Sequence, residues 1–212
     1  MIDPRTTRTQ VVGSTVIPIS LRKETLIIPD EIQVLLLELK RVNNLDRACS
    51  LIKDSKIDGL KELDKTRFEY KGFNIQISLK EYSDEYVNKL SRVNELGVNC
   101  APLLVDHLII NDTDSITVTF YPGCEKELPK SYSELLPHGG NLDVKSRFLK
   151  DIEKLVANGL SHNLASDDYN EWLVNNNGEI ILDGWEFLTN ISPDDSSKYI
   201  SSIKRLLGFD AS

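Results

Sequence analysis

The chain has 212 residues, of which 40% are hydrophobic and 27% charged, enough for one compact domain or two small lobes. A net charge of −8 with no long basic run argues against non-specific nucleic-acid binding, which needs clustered Lys and Arg. No apolar run reaches membrane-spanning length, and the widely separated Cys49, Cys100 and Cys124 give neither a disulfide framework nor a metal-ligand spacing.

Residues 1–10 are polar, and "MIDPRTTRTQ" lacks the apolar core of a signal peptide, so a reducing, cytoplasmic setting is expected. "VVGSTVIPIS" and "ETLIIP" are rich in β-branched residues punctuated by Gly and Pro, which predicts short strands. "PDEIQVLLLELKRVNNL" predicts a helix. Asp30 and Gln33 are spaced as a capping box, and Ile32, Leu35, Leu36, Leu39 and Val42 share one face. "RFEYKGFNIQISLKEY" alternates apolar and polar residues about "KG", predicting a hairpin whose second strand, 73–80, ends in Lys80. Ser83 is placed to cap the following helix, with Tyr86, Val87, Leu90, Val93 and Leu96 as its apolar stripe and Gly97 as its stop. "APLLVDHLIIND" and "DSITVTFYPG" predict two more strands.

The second half changes character. "DVKSRFLKDIEKLVANG" predicts an amphipathic helix from Asp143 to Gly159 with Val144, Phe148, Ile152, Leu155 and Val156 buried. "EWLVNNNGEIILDGW" predicts two short strands, 172–175 and 179–182, around a turn built on Asn and Gly. "SPDDSSKYISSIKRLLGF" predicts a final helix with Ile200, Ile203, Leu206 and Leu207 inward. The fold class this gives is α+β in two lobes: residues 1–122 an N-terminal extension and β-rich lobe, residues 123–212 a short helical lobe.

The last hairpin carries the chemistry. Asn170 leads into its first strand and Asp183 leaves its second, so both oxygens can face one Mg²⁺. Read alone, an ordinary hairpin with a capping Asn and Asp fits equally well. The surrounding order adds to it. "FNIQISLKEY", "SDEYVNKLSRVNELGVNCAPLL", "ITVTFYPG", "LVANGLSH" and "NEWLVNNNGEIILDGWEF" together resemble the protein-kinase-like superfamily, including its aminoglycoside-phosphotransferase and choline-kinase branch, from about residue 70 to 188. The resemblance implies ATP and Mg²⁺ as cofactors. It implies Lys80 on the phosphates, Glu85 (or Asp84) paired with Lys80, and the backbone of Thr119, Phe120 and Tyr121 against the adenine. It also implies Asn170 and Asp183 on the metal, with Trp185 and Glu186 following that Asp. Lys80 read alone is a surface Lys at a strand end, Glu85 an exposed helix charge, and Trp185 a core residue.

The chain departs from that pattern at the catalytic Asp, expected five residues before the Asn. Counting back from Asn170 gives Ala165, and counting forward from His162 gives Leu164; neither is acidic. Asp167 or Asp168 reaching the acceptor, a pseudokinase, and an Asp→Ala substitution at Ala165 are the three explanations; read alone, Asp167 and Asp168 are a solvated turn. The segment before "RFEYKGF" holds a single glycine, Gly59, where a multi-glycine phosphate loop is expected. The chain is short, like minimal kinases, and residues 1–60 match no part of the pattern, leaving them to complete the lobe or dock a protein partner. Three readings follow: a phosphotransferase acting on a protein Ser/Thr or a small hydroxyl compound, a pseudokinase that binds nucleotide or partner, and an unrelated α+β interaction domain.

Overall fold

The computed structural model describes residues 9–12, 15–18, 26–124, 130–131, 141–162 and 172–209, with side chains for 26–124, 141–162 and 172–209. Strands β1 (Thr9–Val12) and β2 (Thr15–Pro18) pair antiparallel. The strand expected at "ETLIIP" is absent over residues 26–29, which form an irregular lead into helix α1 (Asp30–Leu39). The expected capping box does not form either. Pro29 occupies the N-cap, and the Gln33 amide turns back to donate to the Ile28 carbonyl at 2.6 Å. Helix α2 (Leu45–Lys53) starts at Asn44, whose side chain accepts the Arg47 N–H.

A five-stranded antiparallel sheet follows: β3 (Lys61–Asp64), β4 (Arg67–Tyr70), β5 (Phe73–Leu79), β6 (Leu103–Ile109) and β7 (Asp114–Phe120), in the order β3-β4-β5-β7-β6. The "KG" hairpin is confirmed with a two-residue turn. Lys71 (φ 46°) and Gly72 (φ 83°) both take positive φ, as the tight hairpin turn between antiparallel strands requires. Helix α3 (Lys80–Leu96) is inserted between β5 and β6 and ends on Gly97 at φ 66°.

Period-two alternation gives the sheet two unlike faces. Phe68, Tyr70, Phe73, Ile75, Ile77, Ile116 and Val118 point one way and bury against Ile32, Leu35, Leu36 and Leu39 of α1 and Ala48 and Ile52 of α2. Each of these large side chains contributes roughly 1.5–3 kcal/mol on burial. Residues 26–60 thus supply the apolar layer that closes the outer face of the sheet. The other face carries Arg67, Asn74, Gln76, Ser78, Thr117 and Thr119.

The second core lies beyond that polar face. It joins Val87, Leu90 and Val93 of α3 to Phe148, Ile152 and Leu155 of α4 (Leu142–Ala157), Ile203 of α5 (Pro193–Leu206), and Trp172 and Trp185. α4 starts at the Asn141 N-cap and α5 at the Ser192 N-cap. Short strands complete this half. β10 (Trp172–Val174) pairs with β11 (Ile180–Leu182) and with β8 (Lys130–Ser131), and β9 (Leu160–His162) pairs with β12 (Leu188–Asn190). The β10–β11 hairpin is one residue shorter at each side of its turn than expected. Asn175 is spent on the turn, accepting from Asn177 and Glu179 N–H groups. The architecture is α+β, with a β-rich first half and a mainly helical second half.

Candidate functional site

The polar face of the sheet, the first two turns of α3 and the residues after β11 enclose a cleft of about 710 Å³. The sheet forms the roof, with Arg67, Asn74, Gln76, Ser78, Thr117 and Thr119 on it. Tyr82, Ser83, Glu85 and Tyr86 of α3 form the back wall, and Asp183, Gly184, Glu186 and Phe187 form the floor. Tyr121 stands where the chain leaves the sheet. Among the described residues no Val, Leu or Ile lines it, and Tyr82, Tyr86, Tyr121 and Phe187 supply its aromatic surface.

Asp183 is the centre of the floor. It is half-buried, and burial raises its carboxyl above the usual carboxylate range. Hydrogen bonds from the Gly184 backbone and the Tyr121 hydroxyl, and the positive charge of Arg67, oppose that rise. The Tyr121 hydroxyl donates to Asp183 Oδ2 at 3.1 Å. The backbone of Asp183 is held from beneath. His162 Nε2 lies 2.8 Å from its carbonyl oxygen, and the His162 carbonyl accepts the Tyr199 hydroxyl at 2.7 Å. The ring of His162 is fully buried and meets Trp185 edge-on at 4.9 Å. Burial lowers its pKa to about 4, so it is a neutral hydrogen-bonding strut at pH 7. Trp185 is core, with its indole N–H donating to the Leu182 carbonyl at 3.0 Å.

The expected placement of Lys80 is corrected. β5 ends at Leu79, and Lys80 is the first residue of α3, its N–H donating to the Thr113 carbonyl at 2.8 Å. It does not line the cleft. Its charge acts instead on His107, helping to lower that imidazole's pKa beneath the larger effect of burial. Glu85 does line the cleft, but Lys80 is not its partner. The two residues are five apart on one helix and so lie on different faces, whereas Lys89 at i+4 sits beneath Glu85 at 2.6 Å. Lys89 also donates to the Glu186 carbonyl. The competing Asp84 is turned toward His107 Nε2, 3.7 Å away. Ser83, expected as a cap, is buried inside the first turn, bonded to His107 Nε2 at 3.0 Å and to the Ser115 hydroxyl.

The backbone of residues 119–122, the linker by which the chain leaves the sheet, is also spoken for. Thr119 and Phe120 are in β7, an interior strand of the sheet, paired on both sides. The Tyr121 N–H donates to the Gly72 carbonyl at 2.9 Å, and the Tyr121 carbonyl accepts from Cys124. Pro122 has no N–H, and its carbonyl accepts the Asn175 amide at 2.9 Å. Phe120 faces the outer core against Phe73. Among the expected base-contacting residues, Thr119 and Tyr121 present side chains to the cleft.

Leu164, Ala165, Asp167, Asp168 and Asn170 lie outside the described residues. Arg67 is the residue that sequence reading missed. It is the Lys or Arg lining the cleft among the described residues, and it sits directly opposite Gln76 in the β4–β5 register. Its signal was available in the alternation: Phe68 and Tyr70 fix the outer face, so Arg67 falls on the inner one. Glu186 also lines the floor, with its carboxyl raised by burial first and by Asp183 next among the raising effects.

Among the solved structures similar to this chain are monomeric WbdD and vaccinia related kinase 3. Monomeric WbdD matches at 15% identity and a TM-score of 0.46, covering 68% of this chain and 37% of that one. Vaccinia related kinase 3 matches at 16% identity and a TM-score of 0.41, covering 65% of this chain and 49% of that one. This chain therefore spans less than half the length of either. No family model and no curated protein matches it.

Proposed function

We propose that the cleft binds a nucleotide as its magnesium complex and that the protein is a phosphotransferase of kinase-like fold. The observation that supports this best is the facing of Arg67 on the sheet and Asp183 on the hairpin floor across one cleft. Phosphoryl transfer asks a protein mainly for positioned charges of both signs around the phosphates. Arg67 takes the phosphate-binding part first assigned to Lys80. A guanidinium suits it, since its fork matches phosphate oxygens.

The residues present fit a magnesium ion. Asp183 offers a desolvated carboxylate, and Mg²⁺ is commonly held by one or two carboxylates together with substrate phosphates. Bound there, the ion would neutralise charge on the phosphates. Asn170 is the second proposed ligand. Asp167 and Asp168 are the candidates for orienting an acceptor hydroxyl, on a protein Ser/Thr or a small hydroxyl compound. The pseudokinase reading keeps a place because of one specific feature. The cleft-facing positions of β5 are Asn74, Gln76 and Ser78, so the strand expected to supply the phosphate-binding lysine supplies no cation.

Thermal melts of the full chain with Mg²⁺ and ATP test the site. Binding raises the melting temperature of wild type, and Asp183→Asn abolishes the magnesium-dependent part of the rise. No shift in wild type refutes the nucleotide reading. Transfer of labelled phosphate to acceptors, above the level of Asp183→Asn, then separates an enzyme from a nucleotide-binding subunit.

A further inference from the structure

We propose that side chains of the cleft roof, Asn74 and Thr119 with Thr117 beside them, read the base of the nucleotide, and that they accept 6-amino and 6-oxo purines alike. This rests on the nucleotide reading above. It departs from the expected reading by the linker backbone, whose Tyr121 N–H and Tyr121 and Pro122 carbonyls are already paired within the protein.

Three polar atoms in this roof are buried without a hydrogen-bond partner among the described residues: Asn74 Oδ1, Thr117 Oγ1 and Thr119 Oγ1. Their residues are 8%, 5% and 2% exposed, so bulk water satisfies none of them well. They are neighbours. Asn74 lies directly opposite Thr119 in the β5–β7 ladder, about 4.8 Å across the sheet, and Thr117 is two residues along the same strand, about 6.8 Å away. All three line the one cleft. Leaving such groups unpaired is unfavourable, and a ligand that pairs them recovers that cost on binding.

The kind of ligand follows from what the groups can do. A side-chain amide offers one donor and one acceptor side by side, which complements the edge of a base. Tyr121 and Tyr86 supply aromatic surface in the same cleft for its face. Among the described residues no hydrogen bond fixes Asn74 Oδ1, so a half rotation of the amide exchanges donor for acceptor there. A threonine hydroxyl has the same ambivalence. A backbone amide is fixed as donor or acceptor and selects one base. An unpinned amide beside two hydroxyls does not distinguish an amino group from a carbonyl oxygen at the same place on the ring.

Calorimetric titration of the full chain with ATP, GTP and inorganic triphosphate, each with Mg²⁺, tests this, alongside melting of the free protein. ATP and GTP are expected to bind within about fivefold of one another, and both more tightly than triphosphate. Thr119→Val and Asn74→Leu should weaken both nucleotides by about threefold to tenfold, the worth of one neutral hydrogen bond, and leave triphosphate unchanged. The free Thr117→Val and Thr119→Val proteins should melt no lower than wild type, because a buried unpaired hydroxyl gives way to a methyl of the same shape. A preference for ATP over GTP above about a hundredfold overturns the proposal, as does a fall in the melting temperature of both valine variants. Equal binding of ATP and triphosphate, untouched by the variants, overturns it while leaving phosphate binding in the cleft intact. Binding of none of the three refutes the nucleotide reading itself.

Discussion

Replacing Lys40 with methionine isolates a buried charge that the fold answers from one side. Asp106 is fully buried at an irregularity in β6, where the register with β7 shifts. Its Oδ1 accepts the His107 N–H at 2.9 Å, and its Oδ2 lies 2.9 Å from Lys40 Nζ at the end of α1. Burial raises the carboxyl's pKa despite Lys40 and the His107 N–H, which both pull it down. Lys40→Met keeps the apolar stem and removes the counter-charge. Stripping one partner from a fully buried pair costs about 3–5 kcal/mol; with Lys40 37% exposed, about 2–3 kcal/mol is the expectation at pH 7. That is a fall of about 5–10 °C in melting temperature for a chain of this length. The pH dependence has a definite sign. A carboxyl whose folded pKa is raised holds its proton more tightly in the folded state, so its unfavourable contribution fades as pH falls through that folded value toward about 3.9. The variant's deficit should therefore shrink in acid, and Lys40→Met with Asp106→Asn should recover most of the stability. Urea melts at pH 7.5 and 5 on both proteins measure this. A deficit under about 0.5 kcal/mol at pH 7.5, or one that grows in acid, refutes the argument.

Three further outcomes follow from the floor and the linker. His162 has the opposite sign: its pKa is about 4 in the fold against about 6.5 unfolded, so its contribution is full above 6.5 and is lost as pH falls toward 4. That loss reaches roughly 3 kcal/mol, and His162→Gln should flatten the slope of melting temperature against pH in that window. Tyr121→Phe removes the hydroxyl donor from Asp183, costing about 1–2 kcal/mol at neutral pH; Mg²⁺-dependent nucleotide binding should then demand a higher pH than in wild type. Gly123→Ala should destabilise by about 2 kcal/mol or more in a thermal melt. The residue sits at φ 75°, and a Cβ there would come within 2.6 Å of Asn175 Nδ2, in the contact that ties the last hairpin to the linker.

The elements were legible where one periodicity ruled. The α1 stripe of Ile32, Leu35, Leu36 and Leu39, the Gly97 stop and the buried face of α4 all follow from spacing and glycine. For the site, the expectation that failed was the boundary at residue 80. A strand that passes into a helix without an intervening loop leaves no punctuation, and the lysine chosen as a strand end became a helix start. That one-residue difference moved Lys80 out of the cleft and broke the pairing assigned to Glu85. The cleft roof was readable from the same alternation that gave the strands. Residues 74, 76 and 78 are polar between apolar 73, 75 and 77, yet a half-exposed strand has that pattern too. Only the tertiary fold shows that the polar side is the roof of a cleft walled by α3 and Asp183. The Tyr121–Asp183 bond and the His162 strut join residues 62 and 21 positions apart and leave no local trace in the sequence.

α3 belongs to both halves of the molecule. Its first turn is fastened to the sheet through Ser83, His107 and Ser115, while Val87, Leu90 and Val93 are embedded among α4, α5 and the two tryptophans. Lys89 adds a tie to the backbone after Asp183. A hinge needs a seam across which few packed side chains run, and this helix is sewn across the seam. The cleft is a notch of set width rather than a pair of jaws. Tyr82 and Phe187 line it and are exposed, and the radius of gyration in solution should stay the same when Mg²⁺ and ATP are added.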